Sequence, residues 1–212
     1  MFDFSGNPLP VRDNLAVAFR DVWQRLAEPG TWWTGRERVE LAQLARNAYE
    51  DRPLPEGLSL PTAAIAAAAL LGKEPAAVTE ELIIGWEAAG LDANHYVELV
   101  AVVSRVTAVD TFHRALSVTL EALPPPQPGA PSRSLPDVAA AKTKAWVPMV
   151  GPPNIPVSLS AVPTAMAALE ALHGPMYLSY EEMGNPAIEK GLHRSQMELV
   201  AAMTSAINEC FY

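Results

Sequence analysis

A chain of 212 residues, 50% apolar and 18% charged, holds enough apolar material for one large core or two small ones, in the proportions of a soluble globular protein. Its net charge of −9, with no cluster of Lys and Arg, argues against a nucleic-acid surface, which needs a basic stripe, and against anionic lipid. A single cysteine excludes an internal disulfide framework, the first residues lack the basic and apolar regions of a signal peptide, and the longest uncharged apolar run, 63–71, is far short of the ~20 residues of a membrane span, so a cytoplasmic protein is expected.

Strand signals are weak and Ala- and Leu-rich segments recur at helical spacing, which predicts an all-α fold. The predicted helices cover 13–27, 34–50, 61–71, 75–89, 92–118, 161–173 and 192–208. Asp13-Asn14 marks the start of the first, Thr34 with Glu37 three residues on forms a capping box for the second, Pro61 opens the third, and Asp92 caps the long fifth. Trp32 and Trp33, just before the second helix, are expected to pack in the core. The long helix carries His95 with Glu98 and Asp110 with His113, each an i,i+3 pair of the kind used by carboxylate metal sites in bundles. The two pairs stand about 22 Å apart along the helix and cannot share a metal. They are read as surface charges with ordinary histidines, and no metal or cofactor is expected.

After the long helix comes Leu123-Pro124-Pro125-Pro126-Gln127-Pro128-Gly129, which opens a proline-rich connector over 123–156 in which Trp146 is expected to pin the chain to a domain surface. The connector divides the chain into a first domain, 1–122, and a second segment, 157–212. The halves are related: Arg36-Glu37-Arg38-Val39-Glu40-Leu41-Ala42 parallels Arg194-Ser195-Gln196-Met197-Glu198-Leu199-Val200 at an offset of 158 residues. Twelve positions after Glu198 stands Cys210; twelve after Glu40 stands Arg52.

The stretch from Arg194 through Glu198-Leu199-Val200 to Asn208-Glu209-Cys210-Phe211-Tyr212 resembles the opening of the Glu-x11-Cys-x-x-Cys-x-x-x-His site of the alkyl hydroperoxidase D and carboxymuconolactone decarboxylase superfamily. The resemblance implies two tandem helical domains of that type, the first a degenerate copy without cysteine and the second incomplete at Tyr212. By the repeat, about 65 to 70 residues of the second copy are missing, along with the second cysteine and the histidine. It further implies thiol peroxidation, in which Cys210 belongs to the redox pair and Glu198 to its proton relay, with a small peroxide or organic substrate, a thiol reductant and a homo-oligomeric assembly. In that setting, apolar positions of the long helix such as Leu99, Val102, Val103, Val106 and Val109 are read as scaffold. The decarboxylase branch of the superfamily acts on a lactone without the cysteine pair.

An attacking cysteine must be a thiolate, and a free thiol has a pKa of about 8.5, so the site must lower it. Twelve residues of unbroken helix would hold Glu198 roughly 18 Å from Cys210. Asn208 and Glu209 are therefore expected to end the helix so that Cys210 begins the next. The neighbours Leu199, Val200, Met203 and Ile207 suggest a mostly buried helix around Glu198. If the chain stops at Tyr212, however, that helix would be left with an uncovered apolar face, which a complementing polypeptide beginning with cysteine would cover and complete. His173 and His193 flank this segment but lie off the family spacing. The alternative is a non-catalytic scaffold or interaction subunit of the same fold.

Overall fold

A computed structural model describes residues 2–136, 138–152 and 154–210, with eight α-helices and no strand among them. The helices are α1 (Asp13–Ala27), α2 (Gly35–Tyr49), α3 (Thr62–Lys73), α4 (Glu80–Ala88), α5 (Ala93–Ala115), α6 (Pro163–Met176), α7 (Tyr180–Met183) and α8 (Arg194–Ile207). Their starts follow local chemistry. The Thr34 hydroxyl and the Glu37 carboxylate close the capping box of α2, and Asp92 accepts from the amides of Asn94 and His95 at the head of α5. The start of α1 differs from expectation, because Arg12 takes the cap position and Asp13 lies inside the first turn, where its charge suits the helix dipole. The segment predicted as one helix over 75–89 divides into a 3₁₀ turn, Pro75–Ala77, and α4. Val78 and Thr79 are extended, and the Thr79 hydroxyl accepts from the Leu82 amide to start a new helix.

α5 is the axis of the molecule. It packs against α1, α2, α3 and α6, and it buries residues all round rather than along one stripe. Leu99, Val102, Val103, Val106 and Val109 are all buried in the chain's own core, together with Phe19, Trp23 and Trp33 from around α1 and the start of α2. α3 lies along α2, where Gly72 meets the backbone of Ala45 so closely that a Cβ would stand 2.5 Å from its Cα. The opposite side of α5 is covered by α6 and its lead-in, through Val97, Ala101, Leu159, Val162 and Ala165.

The proline-rich connector is extended and is tied to the first bundle rather than hanging free. The Gln127 amide donates to Ala27 O (2.9 Å), Ser132 to Gly30 O (3.0 Å) and Arg133 to Thr31 O (2.9 Å). Trp146, 45% exposed, lines a shallow cleft with Trp86 and Tyr96. α8 stands apart, with Met197 its one buried residue among those described.

Candidate functional site

α8 runs unbroken past Glu198 and ends at Asn208. Glu209 then adopts a left-handed conformation (φ 53°), and the Cys210 amide turns back to donate to Ser205 O at 2.9 Å. The expected end of the helix at Asn208-Glu209 is thus present, with the bond pattern of a Schellman cap. Glu198 and Cys210 are not brought together, since they sit a turn from the start and just past the end of one straight helix. The expected next helix falls on Phe211 and Tyr212, outside the described residues.

Both residues face solvent. Cys210 is exposed, and Glu198 is paired with Arg194, whose Nε donates to Glu198 Oε1 at 2.5 Å. That hydrogen bond, with the Tyr177 hydroxyl next in importance, holds the Glu198 carboxyl below the usual carboxylate range. Arg194 also donates to the carbonyls of Asn185 (2.8 Å) and Met183 (3.2 Å), so it fastens α8 to the turn after α7. Leu199, Val200, Met203 and Ile207 are 64%, 59%, 54% and 76% exposed. The mostly buried helix predicted around Glu198 is therefore corrected: the apolar stripe exists, but no described part of the chain lies over it. His193 caps α8, and His173 meets Leu178 O through Nδ1 at 2.5 Å and packs edge-on against Tyr177.

The first-half counterpart repeats this local geometry at the same offset. Arg36 Nε donates to Glu40 Oε1 at 2.8 Å, as Arg194 does to Glu198. Asp51 has φ 51° where Glu209 has 53°, and the Arg52 amide donates to Asn47 O at 2.9 Å where that of Cys210 donates to Ser205 O. One difference is informative. Glu40 accepts from both the amide (2.9 Å) and the hydroxyl (2.7 Å) of Ser59, so the chain that follows Arg52 folds back onto the glutamate.

The i,i+3 pairs of α5 are not the surface charges that the sequence suggested. Glu98, Asp110 and His113 are each 2% exposed, because α5 is enclosed on every side. Asp110 is matched by Arg46 of α2, with Nε to Oδ2 at 2.8 Å and Nη2 to Oδ1 at 2.7 Å, while His113 donates through Nδ1 to Val109 O. Glu98 accepts from the Trp32 amide (2.6 Å) and faces Arg38 at 3.6 Å, and His95 is half-buried against Trp32 and Trp33, with Nδ1 on Asp92. No group of three or more His, Cys, Asp or Glu among the described residues has the arrangement of a metal site.

Arg38, Arg105 and Arg25, which meet near Glu98, escaped notice in the sequence. A signal was present: an arginine within the valine run 102–109, and a glutamate between Val97 and Leu99, are charges with no polar face to occupy. No helix of the described chain is long and apolar enough to cross a membrane. Compared with known proteins, the chain matches no protein-family model, no curated protein and no solved structure.

Proposed function

We propose that the second half of this chain carries the redox site of an alkyl hydroperoxidase D-like, thiol-dependent peroxidase, with Cys210 in the redox pair and Glu198 as proton acceptor. The supporting observation is the Glu40–Ser59 contact of the first half. Ser59 stands seven positions after Arg52, the counterpart of Cys210; the motif's histidine stands seven positions after its first cysteine. In the first half, then, the chain returns to the glutamate at the place the motif reserves for the histidine, with serine there instead. An equivalent return after Cys210 would close the relay from Glu198 through histidine to thiol without any need for the carboxylate to reach the sulfur directly.

In this reading a thiolate of the pair attacks the peroxide, an S–O bond forms as the O–O bond breaks, and the leaving oxygen takes a proton and departs as alcohol or water. A second thiol attacks the sulfenic acid, giving a disulfide and water, and an external thiol reductant restores both cysteines. Cys210→Ser, in the protein that carries the whole motif, is expected to abolish thiol-dependent peroxide consumption. Glu198→Gln is expected to lower it about 10²-fold or more, as loss of a general base does. Turnover unchanged by Cys210→Ser would rule the assignment out.

A second reading, a scaffold or interaction subunit of the same architecture, draws on the exposed stripe Leu199, Val200, Met203 and Ile207, which is a surface fit for another polypeptide, including a second copy of this chain.

A further inference from the structure

Between α1, α2, α5 and the start of α6 lies a cavity of about 430 Å³ whose charged lining is Arg25, Glu28, Arg38, Glu98 and Arg105, joined by Ser132 and Thr164, against an alanine wall from α6. In a chain of net charge −9, three of the 15 basic residues converge there. Arg38 and Arg105 are 7% and 6% exposed, and Glu98 is the one buried carboxylate beside them. Two buried cations thus face one buried anion, the cavity's other carboxylate, Glu28, being exposed to solvent.

The hydrogen bonding is unfinished in the same sense. Arg105 Nε donates to Ala101 O at 2.7 Å, which directs the guanidinium's other edge, with two parallel N–H groups, away from its own helix; no described residue accepts from it. Arg38 Nε is buried without a partner, and its Nη1 stands 3.6 Å from Glu98 Oε1, too far for a hydrogen bond. Glu98 Oε1 has no donor either. Burial, and next the neighbouring Arg38, pull the Arg105 guanidinium down to about 9, so it is still charged at neutral pH but held at a cost. The orphaned Arg38 Nε and Glu98 Oε1 are expensive to leave unmet. Gly30 makes room for Glu98 and Arg38, because a Cβ there would overlap the Glu98 carboxylate and crowd the Arg38 guanidinium.

We propose that this cavity binds a small organic oxyanion, gripped between the guanidinium groups of Arg105 and Arg38 and offering a hydrogen-bond donor of its own to Glu98. The fork of an arginine matches the paired oxygens of a carboxylate or a phosphate ester. The positive end of α6, which begins at Pro163-Thr164 beside the cavity, adds to the attraction. The volume falls in the range of about 300 to 1,000 Å³ typical of small-molecule sites and exceeds what a bare inorganic ion fills, and the alanine wall suits a short carbon skeleton. A hydroxy acid or a hydroxyl-bearing phosphate ester has the required donor next to the anion. This site is separate from Cys210 and does not depend on the redox reading.

The test is thermal unfolding of the full chain, followed by calorimetric titration, with malate and with glycerol 3-phosphate, each against chloride at matched ionic strength. A saturable rise in Tm with malate identifies a carboxylate ligand, and one with glycerol 3-phosphate a phosphate ester; no rise above chloride with either overturns the proposal. Arg105→Met, which removes the unpaired charge but keeps the volume, is expected to weaken binding about tenfold or more. Should that variant fail to fold, Ala167→Leu fills the cavity from an exposed position on α6 and is expected to have the same effect on binding. Undiminished affinity in the folded variants would overturn the assignment.

Discussion

Two buried ion pairs link the same two helices, α2 and α5, and they differ in finish. Arg46 and Asp110 meet in a bidentate arrangement at 2.7 and 2.8 Å, and the remaining Arg46 nitrogen donates to Glu121 O at 3.0 Å. The guanidinium also lies 5.6 Å from the Trp23 ring centroid. Arg38 and Glu98, at 3.6 Å, leave atoms unmatched on both sides. The first pair holds the fold; the second has room for a ligand. Asp110→Ala is expected to destabilise the chain by about 3 to 5 kcal/mol, because it strands Arg46 in the core, and Arg46→Met with Asp110→Leu should recover most of that loss. Chemical denaturation of the three proteins decides it: a single mutant costing less than about 1 kcal/mol would mean that solvent reaches the pair.

Helix periodicity was readable wherever one face is polar, which is why the bounds of α1, α2 and α8 lie within a residue or two of expectation. It could not locate the charges of α5, since a helix buried all round has no polar face against which to judge Glu98, Arg105 or Asp110. The partners of Glu98 and Asp110 stand on α2, some 60 residues away in sequence, and only the packing of the two helices reveals the match. α7 went unnoticed because four residues show no periodicity; its capping box, from Ser179 to Glu182, was the available signal. That capping glutamate also receives Lys190 Nζ at 2.5 Å, and Lys190 donates in turn to Gly174 O at the end of α6. The Lys190 hydrogen bond is the largest of the effects that lower the Glu182 carboxyl from 4.5 to about 2. A depressed acid stabilises the folded state above its unfolded value and ceases to do so as pH falls from about 4.5 toward 2. The protection factors of the α7 amides, taken against the intrinsic exchange rate at each pH, should fall through that window in the native chain and stay constant in Glu182→Gln; identical profiles would show that the corner is held otherwise. The α2–α3 contact makes a complementary prediction, for Gly72→Ala forces a methyl into the Ala45 backbone and is expected to cost about 1 to 3 kcal/mol.

Across the molecule, burial is unevenly shared. α1 to α5 enclose a continuous core to which the connector and α6 are fastened, whereas α8 is held chiefly by Met197 and by the two bonds from Arg194 to the carbonyls of Asn185 and Met183. Its first-half counterpart α2 carries the same arginine–glutamate pair and the same left-handed exit, yet it is covered by α3 and α5. In the first half the chain returns to Glu40 at Ser59, and α3 is laid along α2. An exposed apolar stripe making few contacts with the described chain should be insensitive to substitution in isolation, and sensitive only where it meets another surface. Leu199→Glu combined with Met203→Glu is therefore expected to change the stability of the isolated chain by no more than about 0.5 kcal/mol for each substitution, the usual limit for surface sites. The same pair should reduce the binding of a hydrophobic dye and, where the chain self-associates, shift its sedimentation toward the monomer. A large fall in Tm would mean instead that α8 already packs against this chain's own core, and the stripe would then lose its standing as an interaction surface.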